Sequence, residues 1–147
     1  MKREKLADPE RSPVQFWAGG FYIKMEEEKS VYNEMTNPEK EVAIYLKELN
    51  LHWKFEYPIF VYDEKERPRV WTPDFFLPEL GIYVEVCGAD RNDYSYREEI
   101  YKKNRIQVIF IHHYKEEGNW KAFLKDRIVA IAEFRSKKVT DSLMQKK

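Results

Sequence analysis

The sequence lacks several features that define whole classes of protein. A single cysteine, Cys87, among 147 residues excludes an internal disulfide and a cysteine-rich zinc site. No apolar run approaches the roughly 20 residues that a transmembrane helix requires, and the charged start of the chain has no following apolar segment typical of a secretory signal. We therefore expect a soluble, intracellular (cytoplasmic) protein without a membrane partner.

Aromatic and charged residues are abundant instead. Aromatic residues make up 16% and hydrophobic residues 43% of the chain, which argues against disorder, and the length suits one domain. The net charge is zero, but residues 91–147 hold 14 Lys and Arg against 8 Asp and Glu, whereas residues 1–90 hold 12 against 18. A basic half is compatible with a polyanionic partner, and equally with a charged surface that favours solubility.

The domain organisation predicted from these patterns has three parts. Residues 1–36, rich in charge and containing Pro and a Gly pair, predict an irregular N-terminal arm. Residues 37–135 carry the periodic apolar patterns of a folded domain, and residues 136–147 are typical of a basic C-terminal tail. The expected elements are a helix from Asn37 as cap to about Asn50, a strand over 52–62 interrupted near Pro58, a charged loop over 63–68, two hairpin strands, a helix over 93–104, a buried strand over 106–111 and a helix over 118–134.

The hairpin carries the most informative pair of residues. Its two β-prone strands lie on either side of the turn-like segment 78–81. If Leu77 pairs with Ile82, the register places Asp74 opposite Glu85, with their Cβ atoms roughly 5 Å apart. Two carboxylates so close are stable only if one is protonated, if a cation pairs with them, or if a metal ion lies between them.

The order of elements and carboxylates resembles the PD-(D/E)XK nuclease superfamily. The resemblance rests on Glu41 in the first helix, on the Pro-Asp dipeptide that ends at Asp74 and on the Glu-Val-Cys segment 85–87, and it covers residues 37–113. Within this superfamily, the pattern is similar to that of small archaeal Holliday junction resolvases and mismatch-repair-like endonucleases. The resemblance implies an α/β fold with a restriction-endonuclease-like αβββαβ core, in which helices flank a central mixed four-stranded sheet, here followed by a C-terminal helix.

This resemblance implies metal-dependent hydrolysis of phosphodiester bonds in DNA, including branched or mismatched DNA, with Mg²⁺ or Mn²⁺ as cofactor. Asp74 and Glu85 would be carboxylate ligands, the Val86 carbonyl would be a further ligand, and Glu41 would complete the site directly or through water. Hard oxygen ligands suit Mg²⁺, and a bound metal lowers the pKa of an attacking water. Many small relatives are dimers, so a homodimer is an expectation by analogy.

The sequence departs from the family pattern at Cys87, where the family usually has a lysine. A thiol cannot supply the positive charge that stabilises the transition state. Arg97 on the inward face of the second helix is the favoured replacement, and Lys103 and Arg69 are the other candidates. A related subgroup has Asp at this position in a Glu-x-Asp-Gly sequence, of which this chain retains the final Gly88. The departure leaves open a catalytically degenerate module of the same fold that binds nucleic acid or a protein partner.

Three further interpretations concern single residues or pairs. His112 and His113 end the buried strand, but only one of them can face a given site, and a structural role is expected. Cys87 has no histidine adjacent in sequence, which favours a structural role over nucleophilic catalysis. The remaining possibility is that Asp74 and Glu85 form ordinary structural ion pairs.

Overall fold

The computed structural model describes residues 14–18, 21–25, 30–88, 94–113, 115 and 119–145. The chain divides into two compact units, Met1–Glu34 and Met35–Lys147. Within the described residues, no helix combines the length and the apolar character needed to cross a membrane.

The first unit contains a β-hairpin where the sequence predicted an irregular arm. Strand β1 (Val14–Ala18) pairs antiparallel with β2 (Phe21–Met25), with Ala18 opposite Phe21, and a short 3-10 helix covers Val31–Glu34. Aromatic and β-branched residues on both sides of a Gly-Gly dipeptide are typical of a two-residue hairpin. The neighbouring prolines obscured this signal in the sequence.

The second unit is a mixed α/β structure with three helices. Its elements are, in chain order, α1 (Asn37–Glu48), β3 (Lys54–Phe55), β4 (Ile59–Tyr62), β5 (Pro68–Trp71), β6 (Phe75–Leu77), β7 (Ile82–Cys87), α2 (Tyr94–Lys103), β8 (Val108–His112) and α3 (Trp120–Gln145).

The central sheet has four strands in the order β3-β6-β7-β8. The first two neighbouring pairs are antiparallel, and β7 and β8 are parallel, as predicted from the strand–helix–strand sequence around α2. The predicted mixed four-stranded sheet is therefore confirmed. β8 lies at one end of the described sheet, not inside it as expected, and buries only the alternate residues Ile109 and Ile111.

The predicted strand over residues 52–62 is two strands with different partners. Residues before Pro58 form β3 in the central sheet, whereas β4 pairs with β5 in a separate two-stranded hairpin. Proline removes a ladder hydrogen bond and Glu56 has a positive φ of 53°, so the chain leaves the sheet here. The inner face of the hairpin packs against α2 through Val61, Ile100 and Tyr101.

Helices α1 and α3 differ from expectation at their ends. The N-cap of α1 is Thr36, one residue before the predicted Asn37, and Thr36 forms a reciprocal capping box with Glu39. α3 continues to Gln145, although residues 136–145 were expected to be a frayed tail. No Gly or Pro occurs after residue 118, so nothing in the sequence ends the helix earlier.

Candidate active site

The hairpin of β6 and β7 brings the two predicted carboxylates together. Leu77 pairs with Ile82, which confirms the predicted register, and continuing this register places Asp74 opposite Glu85. Gly81 closes the turn with a φ of +61°, and its amide donates to the Leu77 carbonyl at 2.8 Å. Because a left-handed φ favours glycine, this residue stabilises the register on which the pair depends.

Asp74 is half-buried and carries a perturbed pKa. Its Oδ2 accepts a hydrogen bond of 2.7 Å from the Val86 amide. Burial and then the negative charge of Glu85 raise the pKa of Asp74 to about 7, although the Val86 hydrogen bond opposes this shift. At neutral pH this carboxyl therefore exchanges readily between its protonated and charged forms, and a neighbouring cation would favour the charged form.

Glu85 is 3% exposed and already has two partners. Its Oε1 accepts hydrogen bonds of 2.7 Å from Arg97 Nη2 and of 2.7 Å from the Tyr101 hydroxyl. Burial raises the pKa of Glu85, whereas Arg97 and Tyr101 oppose that shift. These two partners fix the direction of the carboxylate and offset the cost of burying its charge.

Of the three cations proposed to replace the family lysine, Arg97 is the one in contact with the carboxylate pair. Its guanidinium carbon also lies 5.5 Å from the ring centroid of Trp71, in a cation–π arrangement. Lys103 instead donates to the Asp63 carbonyl at 2.6 Å, and Arg69 Nε lies 3.2 Å from the Asp63 carboxylate. Both of these residues support the β4–β5 hairpin.

Glu41 does not join the pair as predicted. Its exposed side chain contacts His113, whose ring lies 5.6 Å from that of Trp120. Glu39, two residues earlier in α1, is half-buried, and its charge raises the pKa of both Asp74 and Glu85. Two residues correspond to roughly 200° of rotation around a helix, so only one of the two glutamates can face the sheet.

Cys87 provides neither a cation nor a thiolate. The side chain is fully buried, and burial followed by the charge of Glu85 raises the pKa of the thiol to about 12. The thiol is therefore neutral at physiological pH, which agrees with the expected structural role and not with nucleophilic catalysis. His112 lies opposite Cys87 in the parallel pair, and its ring is 5.8 Å from that of Tyr94.

The described residues contain no group of three or more His, Cys, Asp and Glu side chains that could hold a metal ion. The predicted ligand set with Glu41 is therefore not assembled. Mg²⁺, however, commonly binds through one or two carboxylates together with waters and substrate phosphate. In the hydrogen bonds described, Asp74 uses Oδ2 and Glu85 uses Oε1. Each carboxylate has a second oxygen, so the donor chemistry of the pair suits such a cation.

No protein-family model, curated protein or solved structure matches this chain. The chemistry of the site is therefore inferred from its side chains. Sequence reasoning found Asp74, Glu85 and Arg97 but missed Glu39 and Tyr101. The Thr-x-x-Glu pattern that begins at residue 36 was a visible signal for Glu39. The four-residue spacing between Arg97 and Tyr101, which puts both on one face of α2, was the signal for the hydroxyl that donates to Glu85.

Proposed function

We propose that this chain is a metal-dependent endonuclease that hydrolyses phosphodiester bonds of DNA, and that Asp74 and Glu85 hold its Mg²⁺ or Mn²⁺. The observation that supports this most is the pKa of Asp74, raised to about 7 by burial and by the facing Glu85. Perturbed carboxylates beside a charged partner are typical of functional sites. The mixed sheet with a helix before, within and after it is compatible with the αβββαβ core that the resemblance implies.

Each residue of the site has a role in this proposal. When bound, the metal ion offsets the phosphate charge and lowers the pKa of the attacking water. Asp74 and Glu85 would hold it, the Val86 carbonyl would be the further ligand that the resemblance implies, and Glu39 adds negative charge. In the hydrogen bonds of the described residues, Arg97 uses Nη2, which donates to Glu85 and to the Tyr101 hydroxyl. A third of the Arg97 side chain is exposed, so a phosphate oxygen can reach its other N–H groups.

A module that binds nucleic acid without cleaving it is the second candidate. The observation in its favour is that Glu85 already has Arg97 and Tyr101 as partners, while the position of the family lysine holds a neutral thiol. In such a protein the carboxylate pair would be a structural feature inherited from an active fold. The two candidates differ in one property, which is cleavage.

The direct test of this proposal is cleavage of a supercoiled plasmid and of a four-way DNA junction with Mg²⁺, Mn²⁺ or EDTA. We expect metal-dependent cleavage by the wild type. Mutation of a residue that only supports a metal ligand lowers activity about 10- to 100-fold, so loss of the ligand itself in Asp74→Asn should lower the cleavage rate by roughly 100-fold or more. Asparagine can still accept the Val86 hydrogen bond. Asp74→Asn with wild-type activity, or cleavage in EDTA, would contradict the proposal.

A matched pair of variants on α1 tests which glutamate belongs to the site. Glu39→Gln removes the charge but keeps the capping box, since glutamine also serves at this position. We expect slower cleavage for Glu39→Gln and unchanged cleavage for Glu41→Gln. The reverse order would support the ligand set that the resemblance implies.

A further inference from the structure

A groove runs along β8 between α2 and α3, and the proposed nuclease chemistry does not use it. It consists of three cavities of about 470, 320 and 140 Å³. Phe110 lines all three, Arg127 lines the first two, and Phe123 and His112 line the last two, so they adjoin each other. We refer to this surface as the β8 groove.

The groove combines positive charge with aromatic rings. Among the described residues, its charged lining comprises four cations and one acid, Glu98, which pairs with Lys102 at 3.4 Å. The aromatic lining includes Phe110, Trp120 and the half-exposed Phe123. Proteins that bind single-stranded nucleic acid use the same combination, in which cations follow the backbone and bases stack on aromatic rings. The four cations are Lys102, Arg105, Lys115 and Arg127.

The β8 groove lies next to the candidate active site. Tyr101 lines the first cavity, and its hydroxyl donates to Glu85. Phe110 lies opposite Glu85 in the parallel strand pair, so both side chains are on the same face of the sheet. A strand lying in the groove would therefore pass close to the carboxylate pair.

We infer that the β8 groove binds a single-stranded segment of nucleic acid and leads it toward Asp74 and Glu85. This inference rests on the proposed function and deepens it, because it names substrates with unpaired strands as the class that the site accepts. An extended peptide adds to the edge of a sheet through main-chain hydrogen bonds, but the excess of cations over acids among the described lining residues favours a polyanion.

The test measures binding in EDTA, so that cleavage does not intervene. A fluorescein-labelled oligothymidylate and a duplex of equal length are titrated with protein at several KCl concentrations, with anisotropy as readout. For single strands, the slope of log Kobs against log salt changes by about 0.7 for each phosphate contact. We expect tighter binding of the single strand and, in Arg105→Gln/Arg127→Gln, a slope shallower by about 1.4.

Two further variants separate charge from stacking. Lys125→Gln removes a cation roughly 200° around α3 from Arg127, outside the groove, and should leave the slope unchanged. Phe123→Ala should weaken binding about fivefold to a hundredfold without changing the slope, since base stacking on an aromatic ring is lost. Circular dichroism of each variant verifies that it is folded.

Two binding results would overturn the inference: no binding of the single strand by the wild type, or equal salt slopes in the arginine and lysine variants. A change in the sedimentation of the free protein on Phe123→Ala would also overturn it, because the groove would then be an interface between copies. Failure here is distinguishable from failure of the proposed function. Wild-type protein that binds the oligonucleotide in EDTA but cleaves no DNA with Mg²⁺ or Mn²⁺ would overturn the proposed function alone.

Discussion

Asp74 is the residue on which the proposed chemistry depends most. Its carboxyl is held between a backbone amide, which favours the charged form, and Glu85, which opposes it. Among the described residues, Arg97 and Tyr101 donate to Glu85, whereas the hydrogen bond to Asp74 comes from a backbone amide and carries no cation. This imbalance is what a divalent ion would correct.

The raised pKa of Asp74 predicts how stability depends on pH. Because the pKa is about 7 in the folded protein against an ordinary value of 3.8, the folded chain holds a proton that the unfolded chain has released between these values. The contribution of Asp74 to the free energy of unfolding therefore falls as the pH rises from about 4 to about 7. In EDTA at pH 8, Asp74→Asn should be more stable than the wild type by roughly 1–2 kcal/mol. This difference is smaller than the full pKa shift would give, because the carboxyl is partly solvated.

Urea denaturation at pH 5 and pH 8 measures this difference. Asp126→Asn, an exposed substitution on α3, serves as the control and should keep the pH dependence of the wild type. If Asp74→Asn lost stability with pH as steeply as the wild type, the carboxyl would not have the environment described.

Among the single residues of the site, Asp74 and Glu85 were predicted correctly to face each other, but Glu41 was predicted where Glu39 is found. Alternation along a strand and a short turn determine the register, so Asp74 and Glu85 follow from local rules. The choice between Glu39 and Glu41 depends on which face of α1 packs on the sheet. That face holds Val42, Ala43 and Leu46, one turn or two beyond Glu39.

Among the elements, the β4–β5 hairpin explains why two predicted cations are absent from the site. Burial alone would raise the pKa of Asp63, but amide hydrogen bonds from Arg67 and Lys65 and guanidinium contacts from Arg69 and Arg67 lower the pKa well below its ordinary value. Asp63 therefore binds Arg69 at the hairpin, and the Asp63 backbone carbonyl accepts a hydrogen bond from Lys103. The charged residues of the 63–68 loop predict a solvent-exposed segment, so nothing in the sequence indicated that Asp63 is buried with this many donors.

The length of α3 leads to a prediction about its last ten residues. Residues 136–145 are helical, yet all of them are exposed, so they contribute little burial to the fold. Truncation after Arg135 should change the melting temperature by no more than about 2 °C.

Ile131→Ala is the matched comparison on the same helix. Ile131 is 8% exposed, and its truncation should cost about 2 kcal/mol or more. A large loss of stability on removing residues 136–145 would show that this segment packs against something in solution. Differential scanning calorimetry at two protein concentrations distinguishes packing within one chain from packing between copies.

Over the whole molecule, the charge asymmetry has a structural counterpart in the second unit. The four cations of the β8 groove all come from residues 91–147, the part with the basic surplus. The acidic surplus before residue 91 includes Glu39, Asp74 and Glu85. Composition alone predicted the sign of the net charge in each half of the chain. The fold was needed to place a basic groove beside an acidic pair.

The most direct measurement of the central claim is isothermal titration of Mn²⁺ into the wild type, Asp74→Asn and Glu41→Gln at pH 6 and pH 8. Since a proton on Asp74 competes with the ion, affinity for the wild type should rise with pH, by up to about tenfold per unit below the pKa. Glu41→Gln should bind as the wild type does, and Asp74→Asn should bind weakly at both pH values. Equal affinity in the wild type and Asp74→Asn, or no binding by the wild type at pH 8, would contradict the assignment of Asp74 and Glu85 as a metal site.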